Sequence, residues 1–338
     1  MKVSTKSKMK LLLSRLKLIN FAKRTLSLIR LIKRHLILLK DEFIWHKINK
    51  KINLSEDEWG FICNAHNGDT YVFCSYMEIF KQKYGGKITV IVKESQISIP
   101  KMFPAIDRII SFKKLPSYLF GSLTLNSIPS KGKLVFGYPY GYVRIIAYDK
   151  LNNFYSPFEM LFEMQLNLDN AATRSLPIIE LDTKYKALKK LNFISEAKKS
   201  IIISPYSYSL QNLEESFWID LSNKLNELGY LVITNISKSE KPIPNTVGLN
   251  VDFDEIIPIV EKIGIVIGMR SGFFDIISSS SCVKIILYPK LFYGLSNRSA
   301  IDIFHLSSDK KFEFEVDFSH LDDSIDKILQ ILSYIENS

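Results

Sequence analysis

The stretch that decides the fold is "GMRSGFFDIISSSSCVKIILYP", residues 268–289. The apolar run "IVIGM" (265–269) enters it as a strand, a helix is expected to begin at Ser271, and "VKIILYP" (283–289) follows as a second strand. Strand, helix and strand in this order form a βαβ unit, which belongs to a parallel sheet covered on both faces. An arginine, a serine and a glycine at the end of such a strand are out of keeping with its apolar interior. With a helix starting at Ser271, the backbone N–H groups of Ser271, Gly272 and Phe273 point outward at the positive end of the helix dipole. Gly272 lets an oxygen approach the backbone, Ser271 adds a hydroxyl, and Arg270 offers a forked cation suited to a diphosphate. Asp275, one turn on, is placed to bind a ribose or sugar hydroxyl. The ligand that fits this set is a nucleotide diphosphate. The competing reading is a capped helix held by an Arg270–Asp275 ion pair.

The same alternation recurs on either side of this stretch. "KSIIISPYS" is a strand with its loop, "LEESFWIDLSNKLNELG" a helix closed by glycine, "YLVITNI" a strand and "FDEIIPIVEKIG" a helix; "DDSIDKILQILSYIEN" makes a final amphipathic helix. An earlier series begins at Trp59. "WGFICNA" is a strand, "HNGD" a turn, "TYVFCSYMEIFKQKYGG" a helix, and "KITVIVKE", "DRIISF" and "KLVFGYP" are further strands. Residues 137–157, dense in Tyr, Gly and Pro, read as loop with a short strand, and the polar region 169–198 reads as a linker. The expected organisation is a basic helical segment (1–52), an N-terminal α/β domain (53–170) and a C-terminal α/β domain (171–338). Both domains are Rossmann-like and doubly wound, facing a cleft with ligands at the C-terminal ends of the strands.

Two more strand-to-helix turns carry polar residues. In "ICNAHNGDT", Gly68 and Asp69 stand where a helix begins. Asp69 is read either as an N-cap or as a carboxylate at the cleft that accepts a proton from an attacking hydroxyl; His66 stands beside it. In "IIISPYSYS", Ser204, Tyr206, Ser207 and Tyr208 follow a buried strand. Their hydroxyls either hold a phosphate or cap the turn.

The chain has 338 residues and a formal charge of +10, with 46% hydrophobic and 24% charged side chains. That composition excludes a disordered chain. The charge is uneven: residues 1–51 hold 15 Lys and Arg against Asp41 and Glu42, a local +13, and the remainder has 30 basic and 33 acidic side chains, −3. A nucleic-acid partner is therefore not expected for the body. Cys63, Cys74 and Cys282, with no CxxC spacing, make neither a disulfide framework nor a zinc site, and the five histidines form no ligand pair. No metal site and no cofactor are expected.

In the basic segment, Leu12, Leu16, Ile19, Ala22, Leu26, Ile29, Ile32, Leu36 and Leu39 follow one another by threes and fours, while Lys, Arg and His interrupt every apolar run. This is too short of apolar residues for a span or a signal peptide. It fits a helix lying on an anionic membrane surface through residues 1–50. Packing on the body, nucleic-acid binding and organellar targeting are the competing readings.

Together these pieces resemble the heptosyltransferase family, the family 9 glycosyltransferases of bacterial surface-polysaccharide assembly. Gly68-Asp69 matches the family's first turn, "ISPYS" its second half's opening strand and loop, and "RSGFFD" the spacing of its last motif. That motif's leading acid is Arg270 here and its histidine is Asp275, and of the family's Lys-x-Trp-Pro only Trp218 remains. The resemblance implies a GT-B fold with an acceptor domain first and a nucleotide-sugar domain second, and no catalytic metal. It implies Asp69 as general base and Ser271 and Gly272 at the donor diphosphate; the reading of the turns above adds His66 beside Asp69, and Ser204, Tyr206, Arg270 and Asp275 on the donor. It further implies inverting transfer from a nucleotide-sugar to a lipid-linked or oligosaccharide acceptor, in the cytoplasm on the inner face of the membrane. A polysaccharide pyruvyltransferase and a non-catalytic polysaccharide-assembly scaffold are the alternatives.

Overall fold

A computed structural model describes residues 32–117, 129–137, 157–169, 172–192, 199–208, 210–237, 239–290, 292–293 and 298–337. Most of the Tyr-rich stretch 137–157 and the first 31 residues lie outside these. The elements are α1 (32–51), β1 (Glu58–Ile62), α2 (Asn67–Ser75), α3 (Met77–Tyr84), β2 (Lys87–Lys93), α4 (Ser98–Lys101), β3 (Arg108–Phe112), β4 (Leu134–Phe136) and α5 (Pro157–Gln165). Then follow α6 (Leu181–Lys189), β5 (Ser200–Ser204), α7 (Glu215–Glu227), β6 (Leu231–Asn235), β7 (Val247–Leu249), α8 (Phe253–Ile263), β8 (Ile265–Met269), α9 (Gly272–Ile276) and β9 (Val283–Pro289). A short β10 (Phe292–Tyr293) and β11 (Arg298–Ser299) pair, α10 (Ala300–Phe304), β12 (Lys311–Val316) and α11 (Leu321–Glu336) complete the chain.

Two parallel sheets result. The first has the order β3-β2-β1-β4 and the second β12-β9-β8-β5-β6-β7. Counted from β5, the second sheet runs 3-2-1-4-5-6, the dinucleotide-fold order, and the first sheet has its opening 3-2-1-4. Each sheet therefore has one switch point, between β1 and β4 and between β5 and β8. This is the arrangement of a GT-B fold: two doubly wound domains whose switch points face each other.

The strands are apolar on both faces. Ile201, Ile203, Val232, Ile267, Ile285 and Leu287 pack under α7 and α11, while Ile202, Ile233, Val266 and Ile286 face the other way. In the first sheet, Phe61, Val90 and Val92 pack toward α2 and α3. Ile62, Ile91, Leu134 and Phe136 pack instead against Ile44, Trp45, Ile48 and Ile52 of α1 and its end. Trp45 stacks on Phe136 at 5.3 Å. Ile44, Trp45, Ile48 and Ile52 thus pack into the core under the first sheet.

Local chemistry explains where elements stop. The expected single helix of residues 70–86 breaks after Ser75, because the Ser75 carbonyl accepts from the N–H and hydroxyl of Ser175, both at 2.8 Å. That oxygen is diverted from the helix ladder. Helix α8 opens at Asp252 with Glu255 bonded back to the Asp252 N–H, and closes at Gly264 with φ 91°, the left-handed conformation that glycine takes without strain. The region expected to be a plain linker contains α6, which lies on α8 and is tied to it by Lys190 and Glu255 at 2.6 Å.

Candidate functional site

The site is built where the two switch points meet. Helix α2 leaves the end of β1, and α9 leaves the end of β8; their first turns are in contact. Gly68 and Gly272 are the contact. A Cβ placed on Gly272 would lie 2.6 Å from Gly68 N, and one on Gly68 would lie 2.5 Å from Gly272 Cα and closer still to Asp275 Oδ2. Only glycine at both positions permits this approach. The Tyr71 and Ser279 hydroxyls bridge the domains at 3.3 Å beside it.

Asp69 is the third residue of α2, not its cap. Its Oδ2 accepts from the His66 N–H at 2.9 Å, the returning half of a capping box. Asp69 is half-buried and His66 exposed. Partial desolvation, then the nearby Lys93 ammonium, lowers the His66 pKa and favours its neutral ring. Lys93, at the end of β2, is itself lowered by burial, with Asp69 opposing that shift. Under this turn lies Gln96, whose amide donates to Ala65 O at 3.1 Å, Asn67 Oδ1 at 3.0 Å and Thr70 Oγ1 at 3.3 Å. Gln96 and Lys93 are parts of the site that the sequence reading missed. Their only signal is position, at or just past the C-terminal end of a parallel strand.

On the other side, Arg270 and Asp275 form a buried two-pronged pair, Nη2–Oδ1 2.5 Å and Nη1–Oδ2 3.0 Å. Arg270 Nε donates to Phe304 O at 2.7 Å and Nη1 also to Ser271 O at 2.6 Å. Burial works against the guanidinium charge, but Asp275, with Tyr288 and Glu313 around it, keeps its pKa above the ordinary value. The cation expected to face a diphosphate is turned inward, where it holds α9 to α10. Asp275, expected to face a sugar hydroxyl, is its partner. Ser271 differs: its Oγ is buried and has no hydrogen-bond partner among the described residues. A buried hydroxyl so placed is a donor and acceptor left unused.

Ser204 ends β5 at the switch point, buried, with its Oγ accepting from Asn235 Nδ2 at 3.3 Å. Its carbonyl lies so close to Gly268 that a Cβ there would be 2.5 Å away. Tyr206 reaches across to Lys241 O at 2.6 Å, Tyr208 to Glu240 at 2.7 Å, and Ser207 Oγ donates to Arg270 O at 3.2 Å. The structure therefore brings Gly68, Asp69, Ser271, Gly272 and Asp275 to one junction and places the Ser204–Ser207 loop next to it. No group of three metal-ligating side chains occurs among the described residues.

No protein-family model and no curated protein matches the chain. Solved structures do match it in fold. A family 9 glycosyl transferase from Veillonella parvula superposes with a TM-score of 0.54 at 12% identity, over 78% of this chain and 88% of that one. The E. coli ADP-heptose LPS heptosyltransferase II gives 0.52 at 10%, over 82% and 98%. E. coli heptosyltransferase WaaC with ADP gives 0.52 at 11%, over 83% and 100%. The likeness is one of architecture across both domains.

Proposed function

We propose that the protein is a glycosyltransferase that moves a sugar from a nucleotide-sugar to a surface-polysaccharide or lipopolysaccharide acceptor. The observation that carries this reading is the buried, unpartnered Ser271 hydroxyl next to Gly272, the residue that meets Gly68 of the other domain. The shared architecture with nucleotide-sugar enzymes supports it. In this reading the donor diphosphate lies against Ser271 and Gly272, and Ser204 and Tyr206 flank the nucleotide. Arg270 and Asp275 act beneath them as a paired support. Asp69 takes the proton of the acceptor hydroxyl, and that oxygen attacks the anomeric carbon from the side opposite the diphosphate. The bond from carbon to diphosphate oxygen breaks, and the configuration inverts. The backbone N–H groups at the start of α9 stabilise the charge that develops on the leaving group. Because Gly68 fills the space beside Gly272, α2 must move off α9 before the donor enters. The acceptor, being lipid-linked or oligosaccharide, is met on the cytoplasmic side of an anionic membrane, to which residues 1–50 attach.

A thermal-shift screen of nucleotides and nucleotide-sugars tests this. A ligand at about 100 times its Kd should add about 2.7 kcal/mol of stability. A second reading, a non-catalytic assembly scaffold, is favoured by one observation: the only arginine of the junction motif is committed to Asp275. It predicts that no nucleotide raises the melting temperature.

A further inference from the structure

Helix α1 has two apolar faces, and among the described residues only one is covered. Asp41, Trp45, Ile48 and Ile52, spaced by four, three and four, turn toward the first sheet; Asp41 accepts from the Ser117 hydroxyl, and the others join the core. Ile32, Leu36, Leu39 and Phe43 repeat that spacing nine residues earlier. Nine residues is two and a half turns of helix, so this second stripe lies diametrically opposite the first. Its side chains are 52%, 62%, 62% and 71% exposed. Lys33, Lys40, Lys47 and Lys50 are exposed along one flank and continuation of the same face, and Glu42 is the one exposed acid of the helix.

We propose that α1 is a two-sided adaptor. One face is fixed in the core of the first domain, and the opposite face inserts Ile32, Leu36, Leu39 and Phe43 into the acyl boundary of an anionic lipid surface. The occupant follows from the charge. A large exposed apolar stripe bordered by lysines, in a segment of +13 over residues 1–51, is complementary to apolar chains beneath negative headgroups. The lysine stems can lie along the apolar boundary with their ammonium groups in the headgroup layer. Because Trp45 and Ile48 hold the same helix to Phe136 and Ile62, the membrane plane is fixed relative to the first sheet. The α1-covered face of that domain is turned to the bilayer. This rests on the membrane reading above and adds to it which residues enter the lipid and how the domain is oriented.

The test uses the full chain with vesicles of phosphatidylcholine and phosphatidylglycerol. Ile32→Ser, Leu36→Ser, Leu39→Ser and Phe43→Ser combined should weaken partitioning by roughly 100-fold or more without lowering the melting temperature, since all four side chains are exposed. In a second arm, Phe43→Trp should gain fluorescence that brominated lipid quenches, while the natural Trp45, Trp59 and Trp218, all on protein cores, stay unquenched. Unchanged partitioning of the fourfold variant, or an unquenched Phe43→Trp, overturns the proposal. So does a dimer that the fourfold variant converts to a monomer, because a second copy would then cover the stripe. Wild-type protein that ignores anionic vesicles removes the membrane partner itself, whereas the glycosyl-transfer reading fails separately, in the nucleotide screen.

Discussion

Gly68 and Gly272 meet backbone to backbone, so that the helix after the first strand of one domain abuts the helix after the fourth strand of the other. Beside Gly272 the nearest atoms are Gly68 backbone, and the one side chain beside Gly68, Asp275, is held in place by Arg270.

Gly272→Ala places a methyl 2.6 Å from Gly68 N and 3.0 Å from its Cα. The expected result is a loss of about 1–3 kcal/mol, the usual cost of overpacking, together with faster amide exchange over residues 67–75 as α2 lifts from α9. Denaturant titration and hydrogen exchange read both effects. A Gly272→Ala protein as stable as wild type would mean that the two turns are not in contact in solution.

Arg270→Ala and Asp275→Ala each strand one charge in a buried site, and each should cost about 3–5 kcal/mol. Replacing both, as Arg270→Met with Asp275→Leu, should cost much less than the sum, because no unpaired charge remains. The check is a double-mutant cycle in urea. If Arg270→Ala instead keeps its stability and loses nucleotide affinity, the guanidinium is a ligand contact after all.

The strands and most helices were legible in the sequence for one reason. Parallel strands such as "SIIIS", "IVIGM" and "VKIILYP" are buried on both faces, so they stand out as unbroken apolar runs between glycine-closed helices. Edge strands carry a weaker signal. "KFEFEV" alternates, as a half-covered edge does, and forms β12, paired with β9. "VGL" is too short to register, yet it forms β7. The site was legible as two glycine-bearing turns. That they touch was not, because contacts between distant residues leave no local pattern. Gln96 and Lys93 have only their position at or just past the end of β2 to mark them, since their partners in the Gly68 turn are distant in sequence.

Asp69→Asn separates chemistry from structure. The asparagine Oδ1 can still accept from the His66 N–H, so the helix start should persist and stability should change little. A carboxylate that accepts the acceptor's proton, in contrast, cannot be replaced by an amide. Once donor and acceptor are known, turnover should fall by about 10²–10⁴-fold with donor affinity nearly unchanged. Full turnover in Asp69→Asn would reduce Asp69 to a capping residue.

Alkaline pH probes the buried phenols. Burial raises the pKa of Tyr71, of Tyr76, which Glu159 and Glu163 raise further, and of Tyr288, despite the opposing charge of Arg270. In the unfolded chain these groups titrate near 10. Above that pH the unfolded state has lost protons that the folded state keeps, so the stability these groups contribute is present below about pH 10 and falls as pH rises beyond it. Absorbance at the tyrosinate band should therefore rise in two stages, accessible phenols first and the buried set only with unfolding. A single smooth titration of all tyrosines in folded protein would contradict the burial.

Truncation distinguishes the two parts of the N-terminal segment. Removing residues 1–31 leaves α1 and its packing whole, so the protein should fold with its melting temperature nearly unchanged. Removing residues 1–50 takes away Trp45, stacked on Phe136, and Ile48, which is 1% exposed. It leaves Ile62, Ile91, Leu134 and Phe136 of the first sheet bare. Trp45→Ala or Ile48→Ala alone should cost about 2–5 kcal/mol, against a total domain stability of about 5–15 kcal/mol. The longer deletion exceeds what the domain can lose and should give insoluble or unfolded protein. Circular dichroism melts of the two truncations and the two single variants check this, and a 51–338 protein with a wild-type melt would show that the helix is a detachable arm.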